Sequence, residues 1–191
     1  MIQLLGAAAN QTFEMPSIDY HQIAPILVVL GMAVVSVLVE AFVPREARRN
    51  VQLVLTFATL IVAFILVVSL AGQRALAAAG AVAVDGPSLF LQGSLLILAI
   101  MAALLVAEKG VDSAGDAFAA RANALPGSVD EREFTKRGWL TTEIWPLFLF
   151  SVGGMLLFVT GSDLLTLFVG LDIMSLPLYL LAGMARRRRL L

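Results

Sequence analysis

The sequence has no cysteine and a single histidine, His21. The first absence excludes disulfides, thiolate nucleophiles, cysteine-bound zinc and iron–sulfur clusters from these residues. The second excludes a histidine cluster for a metal or haem, and His21, at the head of an apolar run, reads as an interfacial residue. Charge is scarce as well: 14% of the 191 residues are charged, against about 25% in an ordinary soluble domain. Hydrophobic residues make up 60%, which places the chain among membrane proteins rather than soluble ones. No Lys or Arg occurs before Arg45, so residues 1–22 lack the positively charged start of a secretory signal peptide and the first apolar run reads as a retained span.

Long polar stretches are also few, and the gaps between them measure out the fold. A helix needs about 20 apolar residues to cross the hydrocarbon core at about 1.5 Å per residue. Five runs meet or approach that length, at 23–43, 51–71, 89–107, 144–160 and 164–185. The expected fold is one all-α membrane domain over 1–191 with five transmembrane helices. "PREARRN" (44–50) and "GSD" (161–163) only turn the chain back. "GQRALAAAGAVAVDGPS" (72–88) is too short to cross and reads as a surface loop or short hairpin. The loop at 108–140 carries five basic and six acidic residues among Ala, Gly and Ser, and reads as a soluble excursion.

A net charge of -1 conceals a segregation. With the N-terminus outside, every Lys and Arg except Arg74 falls on the cytoplasmic side, including Arg45, Arg48, Arg49 and the run Arg186 to Arg189. That is the distribution the positive-inside rule selects. The arginine run directly after an apolar helix reads as a lipid-phosphate anchor, with no nucleic-acid partner implied.

Against this background Asp172 stands out. It is the ninth residue of the fifth run, about 12 Å from the outer end, where a charge costs about 2.5 to 3.5 kcal/mol on insertion scales. At about 100° per residue, Ser175, Tyr179 and Gly183 fall within about 60° of it and form one polar face. Pro177 cannot donate to the Ile173 carbonyl, so a kink or local irregularity is expected beside the acid. Two readings of Asp172 follow from the residues. It is a protonated acid that holds helices together, or a proton relay whose affinity is switched by a cation. Every Lys and Arg lies in a loop or tail, so such a cation lies outside this sequence.

Two further acids touch the runs. Glu40, near the cytoplasmic end of the first, reads as an interfacial residue paired with Arg45. Glu143, ahead of Trp145 and Pro146, reads as a cap for the fourth helix. Gly153 and Gly154 read as a point of close helix approach.

The segment "SDLLTLFVGLDIMSLPLYLLAG" (162–183), preceded by "LLFVTG" (156–161), resembles the fourth-to-fifth helix region of the subunit N family of bacterial respiratory complex I, the proton-pumping NADH–quinone oxidoreductase. "PREARRN" and "VDGPSLF" (84–90) are similar to the same family. The resemblance implies the start of an antiporter-like bundle in the bacterial plasma (inner) membrane, surrounded by lipid and by other membrane-arm and peripheral-arm subunits. It implies a subunit of an enzyme, without redox chemistry of its own: NADH, flavin, iron–sulfur clusters and quinone belong to other subunits, and no metal is bound here. In the family an acid of the fifth helix works with a lysine two helices on; Asp172 holds the acid's position, with Ser175 and Tyr179 lining it. The family's acid is usually Glu, and its helices continue well past the fifth. Rival readings are a subunit of a multisubunit cation/proton antiporter and a non-catalytic membrane scaffold.

Overall fold

A computed structural model of the chain describes residues 19–108 and 143–184. The polar loop beyond Glu108, the arginine run and the first 18 residues, with the expectations attached to them, lie outside the described residues. The architecture is that of an all-α membrane protein, with five α-helices among the described residues: α1 (Tyr20–Phe42), α2 (Arg45–Ser69), α3 (Gly86–Ala107), α4 (Ile144–Thr160) and α5 (Leu164–Met184). A small hairpin of β1 (Ala75–Ala77) and β2 (Val82–Val84) joins α2 to α3.

Local chemistry sets the ends. The Asp19 side chain accepts from the His21 backbone N–H at 3.2 Å and opens α1. The helix stops at Val43, held extended (φ −81°, ψ 136°) because Pro44 follows it. Only these two residues form the turn. The expectation that all of 44–50 is a loop is corrected: α2 begins at Arg45, six residues before its apolar run, because Glu46 suits the first turn and the arginines find partners along it. Arg48 Nε and Nη2 donate to the Val43 carbonyl at 3.2 and 2.9 Å, and Arg49 Nη2 donates to the Ala107 carbonyl at 3.0 Å, closing the end of α3.

At its other end α3 also starts earlier than its apolar run. The Asp85 carboxylate accepts from the Ser88 N–H at 2.9 Å while Asp85 N–H donates to Ser88 Oγ at 3.0 Å, a reciprocal cap. Pro87 sits in the first turn, where its missing N–H costs nothing. The Ser88 N–H and hydroxyl, with Arg74 adding its charge, hold the Asp85 carboxyl below the usual carboxylate range.

Helix α4 is the centre of the bundle. It packs against α1, α3 and α5 and touches α2, and Leu149, Val152 and Leu156 join Val29, Ala33, Leu60, Ala63 and Leu96 in the core. The other four helices are long and apolar enough to cross a membrane; α4 is apolar but has 17 residues, about 25 Å. The shortest helix is thus the one most enclosed by protein, and the hairpin covers one end of it. Val82 bridges to Gly161, and the Ser162 N–H donates to the Ala81 carbonyl at 2.9 Å. The hairpin is therefore more than a surface loop: Ala77, Val82 and Val84 are buried. Around the outside, Leu38, Val54, Ile65, Leu98 and Leu105 are exposed, a surface suited to lipid and costly in water.

Candidate functional site

The site begins with the way α5 is seated. The Asp163 carboxylate accepts from the Thr166 N–H at 2.7 Å and from Thr166 Oγ1 at 2.9 Å, which starts the helix and holds the Asp163 carboxyl below the usual range. From there α5 packs almost wholly on α4. Its two buried residues are Gly170 and Pro177, and the contact is backbone to backbone. A Cβ at Gly170 would stand 2.9 Å from the Phe158 nitrogen, and one at Gly154 would stand 2.8 Å from the Ile173 carbonyl carbon. The close approach expected at Gly154 is therefore present, one residue from Asp172. Gly153 faces α1 instead, where a Cβ would stand 2.8 Å from Leu30 Cγ.

Asp172 is about 200° around the helix from both Gly170 and Met174, so it points away from α4. Asp172 and Ser175 are partly buried, Tyr179 is 72% exposed, and nothing lies within 4 Å of a Cβ built at Gly183. The face defined by spacing is thus one continuous strip on the outer side of α5. Among the described residues no hydrogen bond or ion pair reaches Asp172.

Pro177 does not interrupt α5, which is helical from Leu164 to Met184; the irregularity expected there takes no form of a break. From α4 the buried Ser151 hydroxyl donates to the Met174 carbonyl at 3.4 Å, one residue past Ile173.

Glu40 forms a 3.0 Å ion pair with Arg48, one turn further along α2 than Arg45, because α2 begins so early that Arg48 faces back onto α1. Glu143 stands at the head of α4 in helical conformation and its side chain makes no capping bond.

Sequence reasoning missed a polar cluster between α1 and α2. Ser36, Gln52 and Thr56 are fully buried, and Gln52 Nε2 donates to the Ser36 carbonyl at 2.8 Å and to Glu40 Oε2 at 3.1 Å. The signal was available: Gln52, Thr56 and Thr59 recur at helical spacing within an apolar run, as do Ser36 and Glu40.

No family model matches the chain. Individual relatives do. NADH-quinone oxidoreductase subunit N of Rhodococcus opacus (strain B4) is 51% identical over 96% of this chain and 38% of its own length. The subunit N proteins of Parafrankia sp. (strain EAN1pec) and Salinispora arenicola (strain CNS-205) are 50% and 51% identical, over 98% and 93% of this chain and 36% and 34% of theirs. The chain therefore spans little more than a third of the length of the relatives it matches. Across that span it belongs to the NADH-quinone oxidoreductase subunit N family.

Proposed function

We propose that the chain works as part of a membrane-arm subunit of a proton-translocating NADH–quinone oxidoreductase, and that Asp172 is a proton-relay acid lined by Ser175 and Tyr179. The observation that carries this is the strip itself. An acid placed near mid-helix in an apolar span, on the side of α5 that no other described helix covers, has its partners outside these residues. Intramembrane acids of this kind serve ion paths by default.

In this reading Asp172 takes up and releases a proton as a cation from a following helix approaches and recedes. A nearby positive charge favours the carboxylate and its withdrawal favours the acid. Moving the proton against the membrane potential costs about 2.3 kcal/mol per 100 mV, which is drawn from electron transfer between NADH and quinone elsewhere in the assembly. This chain does no redox chemistry. NADH, flavin, iron–sulfur clusters and quinone sit in partner subunits, the assembly lies in the bacterial plasma membrane, and the end bearing Arg45, Arg48 and Arg49 faces the cytoplasm.

The test is Asp172→Asn in the full-length subunit within its complex. The expected result is a normally assembled complex with NADH-driven proton translocation into inverted vesicles lost or severely reduced, and partly kept in Asp172→Glu. Assembly and translocation both intact in Asp172→Asn would overturn the assignment.

A further inference from the structure

The α1–α2 cluster plays no part in that proposal, yet it is the most polar place inside the bundle. Gln52 bonds at both ends of its amide: Nε2 to the Ser36 carbonyl and to Glu40, and Oε1 accepting from the Ser36 hydroxyl. Glu40 in turn accepts from Arg48 Nη1 at 3.0 Å. The series runs from a partly exposed ion pair, with side-chain exposures of 21% for Arg48 and 16% for Glu40, to residues with no exposure at all.

One atom at the inner end breaks the pattern. Thr56 Oγ1 is buried without a hydrogen-bond partner among the described residues. Hydroxyls on apolar helices ordinarily bond back to a carbonyl one turn earlier, and several here do so, while Ser36 and Ser151 donate to a neighbouring helix instead. Thr59 donates to Leu55, Ser94 to Phe90 and Thr160 to Leu156, at 2.7, 2.9 and 3.0 Å. Thr56 lies one turn, about 6 Å, beyond Gln52 on the same face, and its hydroxyl is turned off its own backbone.

A buried hydroxyl left without a partner is costly, and more so in a membrane, where no solvent can reach it. Water is the smallest group able to supply both a donor and an acceptor, and buried waters typically use two to four such partners. Gln52 Oε1 and Ser36 Oγ each retain a lone pair beyond the bond they share, one helical turn from Thr56 on the facing helices.

We propose that the α1–α2 interface binds a water at Thr56, making Glu40, Gln52, Ser36 and Thr56 a short hydrated inlet from the arginine-rich end into the bundle. The ligand class is water and the protons it carries, and the site is separate from α5.

A sign distinguishes this from a dry interface. Thr56→Val keeps the shape and removes the hydroxyl; Thr56→Ser keeps the hydroxyl. Both are made in the full-length subunit purified in detergent, with thermal unfolding as the readout. If the hydroxyl holds a water, Thr56→Val lowers the unfolding midpoint and Thr56→Ser stays close to wild type. If the hydroxyl is dry and unsatisfied, removing it relieves the chain, so a midpoint unchanged or raised in Thr56→Val overturns the proposal. A density map fine enough to resolve ordered water gives the direct reading. A peak within hydrogen-bond distance of Thr56 Oγ1, absent from the valine variant, is expected. Thr56 turned onto the Gln52 carbonyl with no such peak overturns it equally.

Discussion

Gly154 of α4 lies against Ile173 of α5 so closely that a Cβ on the glycine would stand 2.8 Å from the Ile173 carbonyl carbon. The obstacle is backbone, which cannot swing aside as a side chain would. The separation of the two helices next to Asp172 is therefore set by a missing methyl group.

Gly154→Ala should force α4 and α5 apart and destabilise the chain by about 1 to 3 kcal/mol, the usual range for overpacking. Gly31 is the control, since nothing lies within 4 Å of a Cβ built there. Gly31→Ala should be neutral or stabilising by up to about 1 kcal/mol, through helix propensity alone. Thermal unfolding in detergent reads both; equal effects at the two sites would refute the seam.

Asp172 has no hydrogen bond within the described bundle, so Asp172→Asn should change its unfolding free energy by no more than about 0.5 kcal/mol. A large loss of stability would mean that the acid works as internal glue, the reading its outward position argues against.

The Glu40–Arg48 pair should behave otherwise. It is mostly shielded, and Arg48 also holds the Val43 carbonyl at the α1–α2 turn. Arg48→Met should cost about 2 kcal/mol, in the range for bonds to charged groups. A double-mutant cycle with Glu40→Gln should return a coupling clearly above zero. Additive losses would show that the two side chains merely sit near one another.

At the head of α3 the direction of the pH effect is fixed. The Asp85 carboxyl is held below its ordinary range by Ser88, so its contribution is present above the unfolded value, about 3.9, and fades as pH falls through the lower folded value. The stability gap between wild type and Asp85→Asn should therefore be constant near neutral pH and close in acid. Unfolding midpoints measured from pH 6 down to pH 2 test this, and a gap that widens on acidification would contradict it.

Much of this was legible beforehand because hydrocarbon length is a blunt, reliable ruler. Five apolar runs became five helices, and the run at 144–160 carries a helix with those ends. What escaped was polar residues that belong to helices. Arg45 to Asn50 joins α2 and Gly86 to Ser88 joins α3 because caps and arginine contacts, not hydropathy, decide where those helices begin. A short hairpin within 72–88 was readable, but the conformation of its turn was not. Ala78 and Ala79 both adopt positive φ, +50° and +57°, a conformation that costs alanine about 1 kcal/mol or more and that no Asn-Gly signal announced. For the site, spacing alone puts Asp172, Ser175 and Tyr179 on one face of α5, but the direction of that face depends on Gly170, whose contact with Phe158 becomes visible only once α4 is in place.

Because α5 rests on α4 and makes no other substantial contact among the described elements, the two helices are connected in series with the rest of the bundle. Among the described elements, a push or pull applied to the outer strip of α5 reaches α1, α2 and α3 mainly through the glycine seam and along α4. Stiffness at that seam then governs how far a local displacement at Asp172 is passed on, much as one coupling sets the play in a drive shaft.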